Sequence, residues 1–241
     1  MSAFFVLLRR ELQAFLRTPM GFVIAAIVLL IDGLLFNSFA LGVGKRLSAD
    51  VIRDFFYFSS GTTIIAAILL SMKLFAEERQ TGTLVLLRTS PISEGQVVLA
   101  KYAAALIYLG FITLLTLPMP LLVMVHGKIS IGHLCAGYLG LFLLGSACVA
   151  IGTFSSAIAE NQMVAAIVST AIIVFLLMCW MLARVTEPPL SDFIAHLALF
   201  DKHYQPFMRG MLHSRDLVYY LSLTYFFLLL ATHSSRLRRW S

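Results

Sequence analysis

Apolar and polar positions divide this chain into long blocks, not into the alternation of a strand or the stripe of a soluble helix. Six apolar runs lie at about Gly21–Leu41, Phe55–Phe75, Tyr102–Val125, Leu134–Phe154, Met163–Ala183 and Leu217–Ala231. The first five match the roughly 20 residues an α-helix needs to cross a hydrocarbon core. The sixth is short, and is expected to recruit Thr232 to Ser235 or to cross a locally thinned bilayer. Ahead of them, Phe5, Leu8, Leu12, Phe15 and Leu16 recur at helical spacing, with Arg9, Arg10, Gln13 and Arg17 on the other faces. That pattern predicts an amphipathic helix in the membrane interface over residues 1–19, ended by Pro19. The fold class is an all-α polytopic membrane protein with six transmembrane helices, in a single domain over 1–241.

Composition supports the same reading. Of 241 residues, 60% are hydrophobic and 12% charged, with a mean hydropathy of +0.91. Soluble domains carry about twice that charged fraction, so most of this surface faces lipid. The net charge of +6 is scattered between apolar blocks, without a basic stripe interleaved with aromatics. Anionic lipid head groups are therefore its expected counterpart, and nucleic acid is excluded. Cys135, Cys148 and Cys179 fall inside apolar runs without CxxC spacing or clustered His, which predicts packing residues and no metal site. Arg9-Arg10 follows the apolar start instead of preceding it, so no cleavable signal peptide is expected. The basic tail Arg236, Arg238 and Arg239, with an even number of spans, predicts both termini in the cytoplasm of a cell with an inner membrane. Residues 76–96 then form a cytoplasmic connection and residues 184–216 an external loop with short helices of its own.

The cytoplasmic connection carries the most information. In the run from Glu77 to Ser93, Thr81 or Thr83 is a candidate helix cap, Leu84 and Leu87 give an apolar side, and Ser90-Pro91 ends the element. Glu77, Glu78, Arg79 and Gly82 complete a candidate docking handle for a soluble partner. The run FAEERQTGTLVLLRTSPIS resembles the coupling-helix signature of ABC-2 type transporter permeases. HYQPFMRGMLHSRDLVYYLSL is similar to the segment entering the last span in the branch used in gliding motility and nitrous-oxide-reductase maturation. The resemblance implies a permease subunit that pairs with a second permease, as homodimer or heterodimer, and binds an ATP-binding cassette ATPase subunit. It also admits a periplasmic or auxiliary membrane partner. The chain carries no cofactor of its own on this reading: Gly44-Lys45-Arg46 lacks the glycine spacing and the Ser or Thr of a phosphate-binding loop. ATP and Mg are expected on the partner.

Asp32 lies about midway along the first span, where an acid costs several kcal/mol unless paired or hydrated. Two readings stand: an acid on a transport path or pairing surface, with Asn37 on the same polar face, or an acid kept neutral between helices. Glu160 and Asn161 form a turn that is either a second cytoplasmic contact or plain solvated chain. Small residues of the fourth span, Gly137, Gly140, Gly145 and Gly152, fit close helix packing within the chain or across a dimer seam. Pro118 and Pro120 predict a kink in the third span. Phe207 and Arg209 are candidates for an external gate. Two other functions compete: a passive membrane scaffold, and an intramembrane protease using Ser146 and His233. The latter lacks the Gly-x-Ser spacing and separates base from nucleophile along the membrane normal.

Overall fold

The computed structural model describes residues 3–41, 47–82, 93–127, 129–187 and 190–237, and among them every regular element is helical. In chain order these are α1 (Ala3–Arg17), α2 (Pro19–Leu35) with a π-helical extension (Phe36–Leu41), α3 (Ser48–Ser71) and α4 (Ala76–Gln80). There follow α5 (Glu94–Leu115), α6 (Pro118–His126), α7 (Ile131–Ile158), α8 (Gln162–Val185), α9 (Leu190–Leu197), α10 (Gln205–Met208) and α11 (Ser214–Leu237). Six stretches are long and apolar enough to cross a membrane: Pro19–Ser38, Ser48–Gln80, Glu94–Val125, Ile131–Ile158, Gln162–Val185 and Ser214–Leu237.

Local chemistry sets the starts of these helices. Pro19 occupies the first turn of α2, where its missing N–H would have no partner. Ser93, Ser130 and Asn161 cap α5, α7 and α8, their side-chain oxygens accepting from the backbone of Gln96, His133 and Val164. Asn161 is thus spoken for as a cap.

The core is organised around α7, which packs on α3, α5, α8, α10 and α11. Its glycines make that possible. A Cβ at Gly137 would lie 2.1 Å from the Phe56 ring, and one at Gly152 would lie 1.8 Å from Ser71 Oγ. Gly140 is closed by Phe207 and Gly145 by Leu109 and Thr63. Each of these four small positions is therefore filled by the chain's own residues, and the packing reading holds for them over a dimer seam.

The last span, the third span and α1 each gain detail. The sixth span recruits Thr232 to Ser235, the first of its two expected solutions, and α11 runs for 24 residues. Near its end the Thr232 hydroxyl donates to Leu228 O at 2.8 Å, within the helix. The kink expected from Pro118 and Pro120 is a break between α5 and α6 at Thr116 and Leu117, just before Pro118, where the Thr116 hydroxyl donates to Thr113 O at 2.7 Å. On α1, Leu7 and Phe15 are buried, Leu8 and Leu12 pack against the core, and Phe5 and Leu16 lie exposed on the outside of the bundle. The buried side is the one that packs along α5, where Phe15 stacks on Tyr108 with ring centroids 5.3 Å apart.

Candidate functional site

At one end of the bundle α3 gives way to the turn 72–75 and then to α4, which carries Glu77, Glu78 and Arg79. Ser156, near the end of α7, fastens this turn. Its hydroxyl accepts from the backbone N–H of Phe75 at 3.0 Å and of Ala76 at 3.1 Å, and donates to Met72 O at 3.0 Å. Arg79 makes a second tie: its guanidinium donates to Ala157 O at 2.9 Å and to Ala159 O. These carbonyls end α7, where an unpaired acceptor row and the negative end of the helix dipole favour a cation. Glu160, exposed, follows directly in the turn to α8. The two segments read separately as contact sites thus meet at one place, through Arg79.

Thr81 and Gly82 close α4. The Thr81 hydroxyl donates to Glu77 O at 3.0 Å, and Gly82 has a φ of 71°, the left-handed conformation that commonly ends a helix. Thr81 is therefore the C-terminal cap of α4. Thr83, Leu84, Leu87 and Pro91 lie outside the described residues.

Four charges join α1, α4 and α5 at the same end. Glu78 meets Arg10 at 2.7 Å and Lys101 at 3.0 Å; Glu11 meets Arg10 at 2.5 Å and Lys101 at 3.2 Å. Lys101 is only 1% exposed. Two acids balance two cations, which offsets the desolvation that a lone buried ammonium would suffer. Burial works to lower the Arg10 value, but the hydrogen bonds and charges of Glu11 and Glu78 outweigh it and hold the guanidinium above its ordinary value. A cavity of about 350 Å³ opens beside this group, rimmed also by Lys73, Glu77 and Thr81. Glu11 and Lys101 are site residues that sequence reasoning missed. The signal was an ionisable residue inside the apolar run of α5.

At the opposite end, residues 197–220 form a packed cap over α3 and α7. Phe207 is fully buried, its Cβ against Gly140, while Arg209 is exposed. Tyr204 donates to Phe56 O at 3.0 Å, Tyr220 to Leu199 O at 2.8 Å, and His133 Nε2 lies 2.8 Å from Met208 O. Burial pushes the Tyr204 phenol well above its ordinary value. His203 and Asp216, both buried, pair at 2.8 Å beneath the stacked ring of Tyr219.

Asp32 is buried against α3, with its Oδ1 2.8 Å from the hydroxyl of Thr62. Asn37 is exposed, so the two share no polar face; the π-helical extension changes the angular step beyond α2. The protease constellation is not assembled. Ser146 contacts Tyr102 at 2.8 Å and Thr224 at 3.1 Å, whereas His233 is exposed nine residues beyond Thr224, about 13 Å along α11. Among the described residues no group of three or more His, Cys, Asp or Glu could hold a metal ion.

No curated protein matches the sequence. The profile of the ABC-2 type transporter family matches residues 2–197, most of the chain, and the protein belongs to that family.

Proposed function

We propose that this chain is the permease subunit in which ATP-driven motion enters the membrane through the segment that begins at α4. As an ABC-2 type permease it is a multi-pass membrane protein, and the family implies an ATP-binding cassette partner and a dimeric arrangement in general. The finer reading places α4, the following residues to Pro91, and Glu160 on the cytoplasmic side, with both termini, in an inner membrane. ATP and Mg bind to the separate ATPase. The second permease is a copy of this chain or a relative of it, and the resemblance to the gliding-motility and nitrous-oxide-reductase-maturation branch admits a further periplasmic or membrane partner.

One observation carries this reading: α4 is tied rigidly to three other helices. Ser156 and Arg79 bind it to α7, and Glu78 binds it to α1 and α5 through Arg10 and Lys101. A push on the segment after Gly82 would thus be delivered to the spans. Leu84 and Leu87 supply the apolar ridge for the ATPase. Asp32 belongs to the path or pairing surface, and Phe207 with Arg209 to the external closure, Phe207 as its anchor. The passive-scaffold reading needs none of these ties.

The test is the double substitution Leu84→Asp with Leu87→Asp. Two unpaired charges at a buried interface would abolish co-purification with the ATPase, while membrane insertion and the detergent-solubilised fold persist. Retained association with the ATPase would reduce the segment to an ordinary loop.

A further inference from the structure

The contacts around Asp32 present a proton inventory that an ionised carboxylate does not fill. Thr62 Oγ1 lies 2.8 Å from Asp32 Oδ1 and 3.0 Å from Ser59 O. A hydroxyl has one hydrogen, so it can give a full hydrogen bond to only one of these two oxygens, or a weak shared one to both. If Asp32 is ionised, the threonine serves the carboxylate or the carbonyl in full, or both weakly. If Asp32 carries a proton, its O–H donates to Thr62 Oγ1 and the threonine donates to Ser59 O, and both close contacts become hydrogen bonds.

The surroundings favour the second arrangement. Asp32 is 3% exposed inside the span, where a bare carboxylate is expensive and a neutral acid is not. No cation offsets it among its described hydrogen-bond and ion-pair partners. The Ser59 hydroxyl, 2% exposed, faces the carboxyl without closing a hydrogen bond of its own. Asp32, Ser59 and Asp54 line one narrow crevice between α2 and α3, too tight in this structure to hold a water molecule. The π-helical extension begins at Phe36 on its wall, and such wide turns recur where helices are adapted to a task. Besides Asp54, the titratable groups within electrostatic reach of Asp32 are Tyr138 of α7 and Tyr204 of the cap, both phenols, and their hydroxyls bond Thr116 and Phe56 O instead. Asp54 stands five residues nearer the start of α3 than Ser59, about 7 Å along the helix.

We propose that Asp32, Thr62 and Ser59 form a proton-binding site within the bundle, reached past Asp54 from the end where the cap sits. Parting of α2 from α3 at the crevice admits water past the half-buried Asp54; that water delivers the proton to an Asp32 carboxyl oxygen, and Thr62 reorients its own hydrogen to Ser59 O. Release reverses both moves and returns the proton to water.

Infrared difference spectroscopy of the full chain in vesicles tests this at neutral pH, where surface carboxyls, titrating near about 4, are ionised. The expected result is a carbonyl stretch of a protonated carboxylic acid that shifts in heavy water and vanishes in Asp32→Asn. Thr62→Val, which keeps the acid, displaces the band because one hydrogen bond is lost. Asp54→Asn leaves the band in place and slows its exchange. No such band in the parent, or a band unchanged by both Asp32→Asn and Thr62→Val, overturns the site. The Thr62 variant also keeps the question decidable if Asp32→Asn fails to fold. Unaltered exchange in Asp54→Asn removes the access route.

Discussion

At the scale of single residues, the charge group at α4 is where a substitution should be felt most. Lys101→Met leaves Glu11 and Glu78 to share Arg10, with one acid uncompensated in a largely buried setting; the expected loss is about 3 kcal/mol of unfolding free energy. Adding Glu78→Gln restores the charge balance, so the double variant should recover part of that loss. A coupling energy of more than about 1 kcal/mol in a denaturant double-mutant cycle is the expected result. Additive losses would mean that Lys101 and Glu78 act independently. Little of this group was legible in the sequence, since Glu11 and Lys101 stand 90 positions apart and hydrophobic period carries no information about so distant a partner. Arg79 read as part of a docking surface, yet its described contacts are to the carbonyls that end α7. Asp32 was legible as an anomaly from its depth alone; that it faces Thr62, and that Asn37 turns away, depended on helix rotation and on the π-helical extension.

Among elements, the glycines of α7 decide how closely its neighbours approach. Gly137→Ala pushes a methyl group into the Phe56 ring, which is itself wedged by Phe55 and Tyr138, so a destabilisation of about 3 kcal/mol is expected. Gly61→Ala on α3 is the control: nothing lies within 4 Å of its added Cβ, and the change should be neutral or stabilising by up to about 1 kcal/mol. Thermal unfolding in detergent distinguishes the two; equal behaviour would refute the close-approach account. Helix number and type were legible from apolar run length, and α1 and the short helices of the last loop from amphipathic spacing. The start of α11 was not, because Ser214 to Asp216 look like loop in composition, and Asp216 is buried in the helix against His203, a partner of the preceding loop. The rotation of α1 was hidden for a related reason: its buried side is chosen by α5.

For the whole molecule, the two ends differ in kind: one bears a balanced charge group and the start of the proposed coupling segment, the other a cap rich in tyrosines. The proposed orientation, with both termini in the cytoplasm, predicts that a membrane-impermeant thiol reagent applied to spheroplasts labels Lys202→Cys and leaves Ser93→Cys untouched; the opposite pattern inverts the orientation and removes the proposed ATPase contact. What joins these ends is α7, with 28 residues and no proline, about 42 Å long against a hydrocarbon layer of about 30 Å. It is fastened near one terminus by Ser156 and near the other by His133. A rod gripped at both ends and crowded along its length has little room to absorb a displacement by bending. Movement imposed at Ser156 would be passed toward Met208, so the permease resembles a latch with a single bolt, whose stiffness would limit how far the cap can stay shut while the α4 end travels.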